Sequence, residues 1–363
     1  MGAMISKRFN ARLSIAPTSD RTALPRPWTV RLEEISYERQ EIMGKQARKH
    51  HYVPQMYLSA FENTNGQIWV TDASTCKAFS RASENIAAER DWNRVDFPGV
   101  PIDALEKELG KFEGLIAPGI KRVRDTASFG EHGKDREDII NLVTLLAVRN
   151  PRTRDFMHGF YADVLRTMVA MPFNDPKRWD AVVEQMKGQN IWPKGAPTDF
   201  EGHKKYVCEN LDKLYAHKNM TLELELEALT STYWFYDSRR WRILKANADT
   251  GGFVTTDHPV CIHKPAASAN YGQIYAPGFG MADRDVIFTL SSSVCLIGRA
   301  EGEEDLVEVG LHNVASVNAT LIGFALKQIY SMDDQFYYTR SPHEAIGRGF
   351  TLLEDSHFKT RDG

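Results

Sequence analysis

Late in the chain, strand-like segments follow one another with no helix between them, and this restricts the fold more than any other feature. Residues 231–237 (STYWFYD) and 240–245 (RWRILK) flank Ser238-Arg239 and read as a hairpin. Residues 253–256 (FVTT) read as a buried strand ending at Asp257-His258-Pro259-Val260. Residues 286–290 and 294–297 pair around Ser291-Ser292-Ser293, and 306–309 adds an edge. A doubly wound sheet needs helices alternating with its strands, so this order argues against one. The expected fold is α+β, with a helical middle packed on a mostly antiparallel C-terminal sheet. A last amphipathic helix over 312–329 closes it through Val317, Leu321, Phe324 and Ile329, and Asn318 lies within that helix.

The middle supplies the helices. Asp103 stands before Leu105, Leu109, Phe112, Ile116, Ile120 and Val123, which recur at spacings of three and four. Asp103 is a candidate N-cap with Glu106 three residues on, and Pro118-Gly119 predicts a kink. Glu113 borders this apolar stripe. A second helix over 136–149 leaves Arg149 on an apolar face, and Asn150-Pro151 caps and starts a third. Further helices are expected over 162–171, 179–186 and 200–217. Near the N-terminus, 67–71 and 76–80 read as paired strands, followed by a loop carrying Asp91-Trp92-Asn93. The predicted division is an N-terminal arm over 1–47, with charged and helical character over 32–43, then one unit over 48–332, helical at about 100–220 and sheet at about 221–332. A tail follows over 333–363, frayed after Asp355.

Composition removes several function classes. The formal net charge of -3 excludes a polycation, so any nucleic-acid contact must come from a local basic face. Lys121-Arg122-Val123-Arg124 and Arg239-Arg240-Trp241-Arg242 are the candidates, and solvated charge is the competing reading. Cys76, Cys208, Cys261 and Cys295 lie far apart, which argues against a zinc knuckle and a disulfide framework and for the cytoplasm. Neither a bilayer-spanning apolar run nor a signal-peptide core is found. Dinucleotide-binding, P-loop, serine-elbow and H-E-x-x-H motifs are missing.

One polar stretch stands out, Arg48-Lys49-His50-His51-Tyr52-Val53-Pro54-Gln55. Pro54 keeps Val53 extended, so the histidines sit on extended backbone just before a helix start. Neighbours on such backbone face opposite ways, so one histidine faces a cavity and the other anchors the loop.

KHHYVPQMYLSAF, the Glu113 helix, LLAVRNPRTR, FVTTDHPV, IFTLSSS and VNATLIGFALKQIYS occur in that order. This order over roughly 48–332 resembles a widespread, largely bacterial family, domain of unknown function 4238, marked by its HHYVP motif. The resemblance implies an arginine with a following proline at Arg149 and Pro151, and an asparagine at Asn318. It departs at His258, where such proteins commonly carry Asn, and at Thr289, where they carry Pro.

The resemblance supplies no activity, so the side chains must. His50 or His51, Arg149, Asp257 and Asn318 are candidate catalytic residues, and His51, Glu113 and Asp257 a candidate ligand set for a divalent Mn, Mg or Zn. Together they suit a hydrolase of phosphodiesters, nuclease-like, with nucleic acid as candidate partner. In a metal-free version His51 is the base and Arg149 the phosphate clamp. The alternatives are a non-catalytic binding protein whose His-Asp-Arg network is structural, and a transferase or lyase using the same cleft.

Overall fold

The computed structural model describes residues 47–96, 100–131, 133–211, 218–263, 281–340 and 345–355. The arm over 1–46, with its expected helix at 32–43, and the tail after Asp355 lie outside them.

The fold is α+β. The HHYVP stretch enters as strand β1 (Lys49–His51), then helix α1 (Gln55–Leu58) and a 3-10 turn (Ser59–Phe61). Strands β2 (Ile68–Asp72) and β3 (Lys77–Arg81) form the expected hairpin, and β4 (Ala88–Arg90) returns to pair with β1. Three helices build the middle: α2 (Ala104–Thr126), α3 (Lys134–Val148) and α4 (Pro151–Ala170). Helix α2 runs through Pro118 as one element, its apolar stripe buried from Leu105 to Val123. Asn150 caps α4 by accepting from the Thr153 amide at 3.0 Å, with Pro151 in the first turn. Helix α5 (Pro176–Gly188) buries Trp179 and Val183 with Phe173 of the preceding 3-10 turn in a small separate core, against which Phe200 and Val207 of α6 (Phe200–Asn210) pack.

The next element overturns an expectation. Residues 231–237 are not the first arm of a hairpin but the end of helix α7 (Lys218–Asp237). Tyr233 and Tyr236 continue the buried row of Leu222, Leu226 and Leu229 at spacings of three and four. That continuity outweighs the strand preference of the aromatic run.

Five strands then form one sheet: β5 (Arg240–Ala246), β7 (Val260–His263), β8 (Asp285–Thr289), β9 (Val294–Arg299) and β10 (Leu306–Val309), in the order β10-β5-β9-β8-β7. All pairs are antiparallel except β10 with β5. Helix α8 covers Leu311–Phe324. It stops short of the expected Ile329, because 328–331 forms strand β11 (Gln328–Ser331). Strand β11 lies between β2 and β6 (Thr255–Thr256), so the N-terminal hairpin completes a four-stranded sheet, β3-β2-β11-β6, with C-terminal strands. Strands β12 (Tyr337–Tyr338) and β13 (Gly347–Arg348) pair at the end.

The HHYVP helix joins these layers. Tyr57 is buried, donates to the Thr289 carbonyl at 2.7 Å, hydrogen-bonds Thr255 Oγ1 at 2.7 Å and stacks on Phe288. It thereby ties the five-stranded sheet to the four-stranded one.

Candidate functional site

Strand β1 turns its two histidines to opposite sides, as extended backbone requires. His50 is fully buried. Its Nδ1 accepts from the Asn93 amide at 2.8 Å, so its other nitrogen, Nε2, carries the proton and donates to the Ala47 carbonyl at 3.0 Å. Both ring nitrogens are used, and His50 anchors the loop. His51 is half-buried, with Nε2 against the Glu84 carbonyl at 3.2 Å. With the proton on Nε2, its Nδ1 carries the lone pair. Burial lowers the His51 pKa, against the opposing pull of the Glu84 carbonyl and of the Glu106 charge.

Asn93 is the hub beneath. Fully buried, its side-chain nitrogen donates to Glu106 Oε2 and its oxygen accepts from Arg149 Nη2, both at 2.5 Å. Glu106 is thus drawn away from the expected capping box. Asp103 likewise caps no amide of its own helix and instead accepts from the Ala47 amide at 3.0 Å.

Arg149 follows α3 and is 2 % exposed. The expected carboxylate bond is not made; the partner is the neutral amide of Asn93, and Arg149 Nε is buried without an acceptor. Burial lowers the guanidinium pKa, while Glu225, Glu106 and Glu113 act to keep it charged. Glu225 itself is committed to Arg154, a buried bidentate pair whose guanidinium lies 3.7 Å over Trp92 and donates to the Trp92 carbonyl. Trp92 Nε1 is a second buried donor without an acceptor.

Glu113, about two turns beyond Glu106 on α2, is half-buried. Burial pushes its carboxyl up to about 7; Arg149 opposes the rise and Glu106 adds to it. Glu106 therefore acts on His51, Glu113 and Arg149 alike. Glu106 thus links them electrostatically; Arg149 and Asn93 are buried, while His51, Glu106 and Glu113 are partly exposed.

Two expected members lie elsewhere. Asp257 is buried, and its carboxylate accepts from the amides of Leu326, Lys327 and Gln328 at 2.7, 2.7 and 2.9 Å. It holds the chain where α8 gives way to β11. Burial raises its pKa against the pull of those three amides. Asn318 is fully buried and accepts from the Val254 amide at 3.0 Å while donating to the carbonyls of Gly252 and Tyr337. It clamps three backbone segments. Neither histidine hydrogen-bonds Asp257: their ring partners are Ala47, Asn93 and Glu84. The expected ligand set of His51, Glu113 and Asp257 is not assembled. Among the described residues, no group of three or more His, Cys, Asp or Glu side chains is placed to hold a metal ion.

The two basic clusters are also occupied. Arg122 forks onto Asp135, Lys121 pairs with Asp125, and Arg242 forks onto Asp305. Arg239 is buried and donates to the carbonyls of Met281, Arg284 and Gly298. Local acids answer Lys121, Arg122 and Arg242, backbone carbonyls take up Arg239, and Arg240 is exposed.

Sequence reasoning gave no functional place to Glu106, Asn93 or Glu225. Glu106 and Glu113 are seven residues apart on a helix, hence on one face, which was a usable signal.

The family match covers residues 49–335 and is to the family described as Protein of unknown function (DUF4238), so the chain belongs to that family. Comparison with curated proteins and with solved structures finds no match. No helix among the described residues is long and apolar enough to cross a membrane.

Proposed function

We propose that the chain hydrolyses phosphodiesters by proton transfer at the Glu113–Arg149 cluster, with nucleic acid as the candidate substrate. The observation that carries this reading is Arg149: a buried guanidinium whose Nε lacks an acceptor and whose one hydrogen-bonded side chain is a neutral amide. A guanidinium in that state has donors left for a phosphoryl oxygen, which it binds in a planar fork.

The neighbours suit the chemistry. His51 is held neutral by burial and presents Nδ1 as the base. Glu113, near 7, carries a proton on a large share of molecules at neutral pH and serves as the acid. Water oxygen attacks phosphorus as the bond to the leaving oxygen breaks. His51 takes the proton of the water, Glu113 gives its own to the leaving oxygen, and both then exchange protons with solvent. Arg149 offsets the charge on the phosphoryl oxygens.

The second reading, a binding protein with a structural polar network, is favoured by the saturation of His50, Asp257 and Asn318. The four described cysteines are free, two of them exposed, which supports placing the chain in a reducing cytoplasm.

Turnover of bis(4-nitrophenyl) phosphate and of single-stranded oligonucleotides in chelator separates the readings. Wild type is expected to turn over and Arg149→Met to lose about 100-fold or more in kcat/KM while remaining folded. A folded wild type inert on every phosphodiester, or an unchanged Arg149→Met, rejects the hydrolase.

A further inference from the structure

The four-stranded sheet carries a hollow beside the end of α8. Strands β2 and β11 set Thr71 opposite Ile329, and the ladder runs one step further, from the Ala73 amide to the Lys327 carbonyl at 2.8 Å. Side chains two apart on a strand share a face, and so do those directly opposite. Thr71, Ala73, Lys327 and Ile329 therefore stand on one face and line the hollow, while Val70 and Tyr330 turn the other way into the main core. Ile322 of α8, the Ala325-Leu326 link and Leu352-Leu353 of the final 3-10 turn (Gly349–Glu354) wall it with hydrocarbon. Cys76 and Lys327 are exposed at its mouth.

The walls are held by the protein's own bonds. Asp257 accepts from the Leu326 and Lys327 amides, and Asp72 accepts from Ser74 Oγ at 2.7 Å, the Thr75 amide at 3.0 Å and Gln328 Nε2 at 2.6 Å. The turn leading to Cys76 and the link carrying Lys327 are thus fixed before anything binds, as in a preformed site. Thr71 is the exception. It is 2 % exposed, and its Oγ1 is buried with no hydrogen-bond partner. A buried hydroxyl left unpaired is destabilising, and buried polar groups in folded proteins are nearly always bonded. Valine would give almost the same shape without that cost, so the hydroxyl calls for a ligand atom. Lys327 enters no ion pair among the described residues. It lies diagonally across the ladder from Thr71, roughly 7–8 Å away, within reach of one small molecule.

We propose that this hollow binds a short-chain carboxylate bearing a hydroxyl or carbonyl oxygen along its chain. The alkyl chain lies against Ile322, Leu326 and Leu352, the in-chain oxygen meets Thr71 Oγ1, and the carboxylate faces the Lys327 ammonium at the mouth. The site shares no residue with the Glu113–Arg149 cluster and is independent of the hydrolase reading.

Calorimetric titration of the full chain with 3-hydroxyhexanoate and with hexanoate tests it, circular dichroism melts confirming that each variant folds. Wild type is expected to bind 3-hydroxyhexanoate about tenfold more tightly than hexanoate, the worth of one buried hydrogen bond. Thr71→Val is expected to melt at or above wild type and to bind the two acids equally. Lys327→Met is expected to weaken both by about fivefold, as for an exposed ion pair, and to keep the preference between them. Iodoacetamide labelling read by peptide mass locates the ligand without any substitution. Bound 3-hydroxyhexanoate is expected to slow labelling of Cys76 and leave Cys208, the other exposed thiol, unchanged. No binding of either acid at about 20 mM overturns the proposal. Binding that leaves Cys76 unprotected, or a preference that survives in folded Thr71→Val, overturns it too.

Discussion

Glu113 sets stability against function at one side chain. Its folded pKa, about 7, lies above the ordinary 4.5, so the folded chain holds this proton more tightly than the unfolded chain does. Below pH 4.5 the carboxyl is neutral in both states. Between 4.5 and 7 the unfolded chain ionises first, so stability is lost as pH rises through that window. Glu113→Gln removes the penalty. The variant is expected to melt higher than wild type at pH 8, by roughly 1–3 kcal/mol once solvent screening of a half-buried group is allowed for, and to match it near pH 4. Thermal melts at the two pH values check this, and equal melting temperatures at pH 8 would show that Glu113 ionises like an ordinary carboxylate. Arg149 was legible as a buried arginine because its place after two apolar leucines is a matter of spacing. Its partner was not, since Asn93 arrives from a loop with no periodicity to read.

At the scale of elements, packing decided what local propensity could not. Residues 231–237 carry a strand composition and fold as helix because Leu222, Leu226 and Leu229 lead into Tyr233 and Tyr236 on one buried row. Residues 325–329 read as the end of the last helix by their apolar content. Yet Asp257, far away in sequence, captures three of their amides and turns them into β11. Such a long-range capture leaves no trace in a local pattern. The contact of α2 with α3 is held to close tolerance at Gly119, where an added Cβ would lie 2.2 Å from Asp138 Oδ2. Asp138 is itself buried and answered by Lys134 at 2.8 Å, so it has little room to move. Gly119→Ala is therefore expected to destabilise by about 1–3 kcal/mol, against the usual gain from replacing a helical glycine. A chemical-denaturation midpoint at or above that of wild type would mean that α3 shifts freely.

Across the whole molecule, the HHYVP stretch works as a joint. Tyr57 bolts the two sheets together, and His50 orders the Asn93 loop that presents Arg149. The α+β class and the helical middle followed from the order of patterned segments. The division of labour among the polar residues did not, because His50, Asp257 and Asn318 look reactive in sequence and are saturated by backbone in the fold. What remains is the cluster of His51, Glu106, Glu113 and Arg149, and its central claim concerns where two protons sit. The pH dependence of kcat/KM for bis(4-nitrophenyl) phosphate, measured in chelator for wild type and Glu113→Gln, tests that claim most directly. The account predicts a bell for wild type. Its rate rises as His51 loses its proton below the ordinary histidine value and falls as Glu113 ionises near 7. In Glu113→Gln the falling limb should vanish and the maximum drop by about 100-fold or more. A wild-type profile with no descending limb near 7, or one that Glu113→Gln leaves unchanged, would contradict it.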